Sequence, residues 1–263
     1  MAEIEFDGSN GVERSRPFHF EWVLPVLVRP RRTLPQIVQK DTGVWLAPLV
    51  LLTVFALIMV AAGGPIRQAA AQAQVVLPPD FDFYPPEWQQ QYQEGFAARQ
   101  GFVFIYVYPA LGVLATIWIG WFLVGSLLHL GLTLAGSRNQ NTAVLNLVAW
   151  ASLPFVLRYI VQAIYLISTN TSITAAGLSG FIPSDATGFL LFMRAFLSLV
   201  DIYLIWYLAL LLVGVAIIAR VSRIKAIIVV AVLSTLFLAI QALPGFLLAL
   251  FGGVQTQRPF FFF

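Results

Sequence analysis

Five long apolar blocks, separated by polar, glycine-rich or proline-rich stretches, run along the second to last parts of this chain. They cover about residues 45–62, 102–134, 142–167, 187–219 and 226–251. An α-helix rises ~1.5 Å per residue and a bilayer interior is ~30 Å thick, so each block is long enough to cross or nearly cross it. Backbone polar groups in lipid must be satisfied within the segment, which dictates helices. The pattern predicts an all-α fold: a polytopic transmembrane helical bundle with five membrane-spanning helices. The second and fourth blocks reach ~50 Å as helices, longer than one crossing needs. The first block is expected to end at Gly63-Gly64-Pro65, a strong breaker. Pro154 falls inside the third block and should bend it, and Pro244-Gly245 lies near the far end of the fifth.

The stretches between the blocks carry their own signals. Residues 63–101 mix Pro, acids, Gln and aromatics, and predict an ordered outer loop with a short helix over 86–99. Before the first block, PFHFEWVLPVLV is too short to span and is expected to lie in the interface. Next comes RPRRTLPQIVQK, whose Arg29, Arg31, Arg32 and Lys40 suit anionic lipid headgroups, at ~1 kcal/mol per basic residue near the surface. The expected division is a segment 1–44 with an interfacial amphipathic helix, a bundle 45–251, and a tail 252–263. The tail ends in Phe260–Phe263 and is expected to fold back into the outer interface.

Charge sets the orientation. Arg14, Arg16, Arg29, Arg31, Arg32, Lys40, Arg138, Arg220, Arg223 and Lys225, ten of the fifteen basic residues, fall on one side if the chain crosses five times. Arg67, Arg99 and Arg258 fall on the other. The bias predicts a cytoplasmic N-terminus and an outside C-terminus. Met1–Gly8 is acidic, so a cleaved signal peptide is not expected. Only 10% of residues are charged and 59% are hydrophobic, which a water-facing globule of this size would not tolerate. The net charge of +3 comes from residues flanking the blocks, so it argues topology and gives no reason to expect a nucleic-acid partner.

Two basic residues and one acid remain inside the blocks. Arg158 stands sixteen residues after Thr142, ~24 Å from the inner face, and Asp201 eighteen before Ala219, ~27 Å from it. Charges in lipid are costly and usually pair, so an Arg158–Asp201 ion pair tying the third span to the fourth is expected, as a structural staple. Arg194, seven residues before Asp201, is expected on the same helix face but further out. Small residues at spacing four, Gly112, Thr116 and Gly120 in the second block and Ala231, Thr235 and Ala239 in the fifth, mark faces where helices could pack closely.

Chemistry is scarce. There is no cysteine, and His19 and His129 are the only histidines. No HExxH, P-loop or GxGxxG occurs, so no metal, nucleotide or other cofactor is expected. Gly177-Leu178-Ser179-Gly180 matches the GxSG of rhomboid proteases in letters alone. Ser179 would lie outside and His129 near the inner face, so no base could reach the nucleophile. Asn170-Thr171-Ser172 is a glycosylation sequon by pattern, and chance is the better account.

Taken together, three features resemble the Yip1 family: the basic, proline-containing lead-in RPRRTLPQIVQKDTGVWLAPLVLL, the long second block closing in Leu128-His129-Leu130 and a glycine turn, and the third block AVLNLVAWASLPFVLRYIVQAI with its central proline. The similarity covers roughly 29–251. It implies a five-span, non-enzymatic membrane protein. Eukaryotic members of that family are linked to Rab GTPases and vesicle traffic. The short N-terminal region and large 63–101 loop suit a bacterial member in the inner membrane, and no Rab-binding residue carries over.

Two functional readings follow. A scaffold or accessory subunit would bind membrane lipids, other membrane proteins or further copies of itself. A small-solute or ion transporter would use Arg158 and Asp201. Against the second stand an odd number of spans, which cannot form two equal repeats, and few polar residues within them.

Overall fold

The computed structural model describes residues 18–73, 77, 80–219 and 221–251. The Phe260–Phe263 tail and Arg220 lie outside the described residues. Every described regular element is helical. The N-terminal part forms α1 (Val23–Val28) and α2 (Pro30–Val38). Then follow α3 (Leu46–Ala62), α4 (Gly64–Ala73), α5 (Pro86–Gln100), α6 (Tyr108–Leu134), α7 (Asn141–Ala151), α8 (Pro154–Thr169), α9 (Gly188–Leu197), α10 (Ile202–Ile218) and α11 (Arg223–Phe251). Four helical runs are long and apolar enough to cross a membrane: 46–73, 103–134, 141–169 and 223–247. The pair α9 and α10, bent by 67° at a short break, makes a fifth if it is counted as one crossing.

The structure corrects two readings of the pattern. The fourth block is not one long helix: it breaks at 198–201, where Asp201 turns to extended backbone and caps α10 with its side chain. Ser198 and Asp201 are the only polar residues in that break, too few to lower the hydropathy of so long an apolar window. The first block does not stop at Gly63-Gly64-Pro65. Gly63 keeps right-handed helical angles, and its carbonyl accepts from Arg67 N at 3.1 Å, so the helix carries on into α4. Pro65 sits at the second position of α4, where its missing N–H does least harm.

Proline stands at an interruption of the third span. Two turn residues, Ser152 and Leu153, separate α7 from α8, and Pro154 is the first residue of α8. This span is the centre of the bundle, with 78% of its most apolar window buried. Helices α3, α6 and α10 pack around it, and α2 reaches it from the N-terminal side. Helix α2 is amphipathic: Leu34 and Ile37 are fully buried, while Arg31, Arg32 and Lys40 are exposed, as is Arg29 just before it. The interfacial segment is therefore docked on the bundle, with its basic residues outward.

Closest approach comes through glycine, though not only where the small-residue rows lie. Gly214 of α10 faces the Leu147 side chain so tightly that a Cβ there would collide with it, and Gly125 of α6 meets Leu145 in the same way. In the α6 row, Thr116 and Gly120 are buried and Gly112 is half-buried. The α11 row does not meet it. Ala231 and Thr235 are exposed and Ala239 is half-buried, whereas Val229, Leu233 and Phe237 face the glycines of α6. Large side chains of one helix fill the gaps left by glycines of the other, so two small rows have no need to face.

Candidate functional site

The break between α9 and α10 exposes backbone that lipid cannot satisfy. Its donors and acceptors are met from within the protein. Leu178 N, in the loop after α8, donates to Leu197 O at 2.9 Å and Val200 O at 3.0 Å. Gly177 makes this approach possible: its φ is +55°, and a Cβ would collide with the Val200, Leu197 and Ser198 carbonyl oxygens. Ser179, almost fully buried, donates to Ala176 O at 2.7 Å. The GLSG segment thus seals a helix break, a structural duty consistent with its serine bonding only backbone. Arg194 of α9 donates to Pro183 O at 3.3 Å in the same outer loop.

Asp201 stands at the start of α10 and serves two partners. Its Oδ1 accepts from Leu204 N at 2.9 Å, an N-cap. Its Oδ2 pairs with Arg158 Nη2 of α8. The Arg158 side chain is 3% exposed and that of Asp201 16%. Arg158 Cζ also lies 5.7 Å from the centre of the Phe155 ring, within cation–π range. The two residues thus join α8 to the break, one neutralising the other. Arg158 Nε, buried, has no hydrogen-bond partner.

Beside this pair lies a partly open cavity of about 100 Å³, lined by residues of α3, α6, α7, α8, α10 and α11. Its wall is mostly apolar, with Trp121, Ser152, Arg158, Tyr207, Ser234 and Gln241 as the polar exceptions. Two of these are already engaged: Trp121 Nε1 donates to Leu145 O at 2.9 Å and Ser152 Oγ to Ala149 O at 2.6 Å.

A second polar lock, invisible to motif searching, ties the N-terminal lead-in to the bundle centre. Asn146 of α7 is fully buried. Its Oδ1 accepts from Val44 N at 2.8 Å and its Nδ2 donates to Thr42 O at 3.1 Å. One turn on, Trp150 Nε1 donates to Val44 O at 3.0 Å. The lead-in 42–44 is thereby held by two side chains of one helix face. The signal in the sequence was an Asn and a Trp four apart in an apolar block, which hydropathy reads as background.

Among the described residues no group of three His, Cys, Asp or Glu could hold a metal. His19 pairs with Glu21 at 2.7 Å at the surface, and His129 lies in α6, far along the chain from Ser179. Among the described residues Arg29, Arg31, Arg32 and Lys40 form no ion pair with an acid, and all four are exposed; the first three also border a shallow surface hollow.

The family model for the Yip1 domain matches residues 24–243. The chain belongs to the Yip1 family. The match begins within α1 and ends within α11, so the Yip1 domain here includes the docked N-terminal helices, the Asn146 lock and the α9–α10 break. It is a multi-pass membrane protein of the Yip1 type. Neither the comparison with curated proteins nor that with solved structures gave a match.

Proposed function

We propose that this Yip1 protein is a non-enzymatic scaffold or accessory subunit that holds other membrane proteins, or further copies of itself, against its fifth span, and binds anionic lipid through Arg29, Arg31, Arg32 and Lys40. The observation that carries the reading is the asymmetry of burial. The α7–α8 span has 78% of its apolar window buried, and α11 only 17%. The outward side of α11 bears Ala231 and Thr235 beside Ile224, Ile228 and Val232, a flat apolar face with small residues that suits a second helix. Among the described residues the bundle core offers no nucleophile–base pair. The basic side of the topology supports a cytoplasmic N-terminus, and the large 63–101 loop suits a bacterial inner-membrane member of the family.

Because the chain has no cysteine, single cysteines at Ala231 and Thr235 report neighbours without background. Membranes carrying these variants are oxidised and resolved without reductant. Discrete adducts at Ala231→Cys and Thr235→Cys, and none at a buried control such as Leu147→Cys, support the scaffold. A chain that stays monomeric at every α11 position, and moves a solute across liposomes, overturns it in favour of a transporter. The mutual neutralisation of Arg158 and Asp201 speaks against that second reading, since a fixed pair carries no mobile charge.

A further inference from the structure

We infer that the central cavity takes the carbonyl end and first few methylenes of one fatty acyl chain, the rest lying in the bilayer alongside, with the acyl carbonyl oxygen accepting a hydrogen bond from Arg158 Nε. The proposal concerns the inward side of α11 and does not depend on the scaffold face outside it.

Three observations point to it. The cavity of about 100 Å³ is apolar over most of its wall, which water leaves readily and a few methylenes of a hydrocarbon chain fill. Arg158 lines that cavity, its side chain is 3% exposed, and its Nε–H lacks an acceptor. A buried unsatisfied donor is costly, so a ligand that supplies an acceptor there binds by removing that cost. Finally, the cavity reaches the lipid-facing surface: Leu127 of α6 lines it and is 41% exposed, beside the loosely covered α11. A chain from the bilayer has a lateral way in.

The charge state selects the ligand. Asp201 already neutralises Arg158, so an additional carboxylate would bring an uncompensated negative charge into the bundle. An ester carbonyl is a neutral acceptor and brings none. The same acyl chemistry could arrive as a phospholipid or as a free fatty acid, and the arrangement favours the ester.

The test uses the full chain, purified in mild detergent and returned to liposomes doped with either a phosphatidylcholine or a free fatty acid that carries a diazirine in its acyl chain. After irradiation, adducts are mapped by mass spectrometry. The expected result is labelling by the phosphatidylcholine at cavity residues such as Val124, Leu233 and Phe237, above that at the lipid-facing Ile119 and Val232. Ser234→Phe, which places a ring in the cavity, should remove the cavity adducts and leave those at Ile119. Arg158→Lys keeps the charge opposite Asp201 but loses the Nε–H, and should lower cavity labelling about fivefold. If Ser234→Phe does not fold, native mass spectrometry of the unaltered chain takes its place, one retained phospholipid per chain being expected. Labelling that is uniform over the lipid-facing residues and indifferent to both substitutions overturns the site. Labelling of the cavity by the free fatty acid in preference to the ester overturns the carbonyl assignment.

Discussion

The guanidinium of Arg158 closes on the carboxylate of Asp201, and that same carboxylate caps the N-terminus of α10. One acid thus answers a buried cation on α8 and a free backbone N–H at a helix break. The two duties are separable by substitution. Asn is as good an N-cap as Asp, so Asp201→Asn removes charge and keeps the cap. It leaves Arg158 buried and uncompensated, and should lower stability by about 3 kcal/mol or more. Asp201→Ala should cost about 1 kcal/mol further through loss of the cap. Arg158→Met combined with Asp201→Asn should cost less than the two singles together, because no unpaired charge remains. Thermal midpoints in detergent read all four. An Asp201→Asn midpoint equal to that of the parent would sink the staple reading.

The lock between α7 and the lead-in predicts a second hierarchy. Asn146→Leu keeps the branched shape but strands the Val44 N–H and the Thr42 carbonyl, for a loss of about 2 kcal/mol or more. Trp150→Phe removes only the bond to Val44 O and should cost about 1 kcal/mol plus the packing of the smaller ring. Limited proteolysis distinguishes a local effect from a global one. If the lock holds the lead-in, Asn146→Leu exposes cleavage within 39–45 before the rest of the bundle loosens. Equal protection in variant and parent would mean the lead-in is held by α2 packing alone.

How much of this was open to reading follows from what each signal depends on. Hydropathy marked the apolar blocks, because a bilayer selects composition over long windows, and the depth count set Arg158 and Asp201 at similar height. The α9–α10 break depends on one residue, Asp201, having its backbone extended, and a hydropathy average over a long window hides a single acid. The continuation past Gly63-Gly64-Pro65 depends on tertiary contacts: Gly64 lies under the Tyr106 ring with no room for a Cβ, so the glycine serves packing, where the pattern suggested a stop. The Asn146 lock joins residues about a hundred positions apart, a separation at which a single sequence carries no pairing information.

The loop that seals the break rests on one glycine. At φ +55° a side chain is disfavoured, and a Cβ at 177 would press on three backbone carbonyl oxygens that cannot swing away. Gly177→Ala should therefore destabilise by about 2 kcal/mol or more, while Gly120→Ala, whose Cβ would meet only Phe237 at 3.8 Å, should change stability little. Ser179→Ala should cost about 1 kcal/mol through its bond to Ala176 O and leave any function intact. A Gly177→Ala midpoint no lower than that of Gly120→Ala would mean the loop does not seal the break.

The start of the second span carries the last prediction. Pro109 has no N–H to give the Ile105 carbonyl one turn back, and residues 103–107 widen into a π turn there. Arg67 of α4 donates its Nε–H to that oxygen at 2.8 Å, and its Nη2 donates to Val60 O. One arginine thus supplies what a proline withholds, and fastens α4 to the second span. Pro109→Ala restores a backbone donor, so the Ile105 oxygen no longer relies on the guanidinium. Arg67→Met alone should cost about 2 kcal/mol; in the Pro109→Ala background it should cost less, with a coupling of about 1 kcal/mol in a double-mutant cycle. Additive midpoints would show that Arg67 works through Val60 and packing alone. A positive coupling would make Pro109 and Arg67 one device, in which the kink at the head of the second span fixes where the outer helices dock.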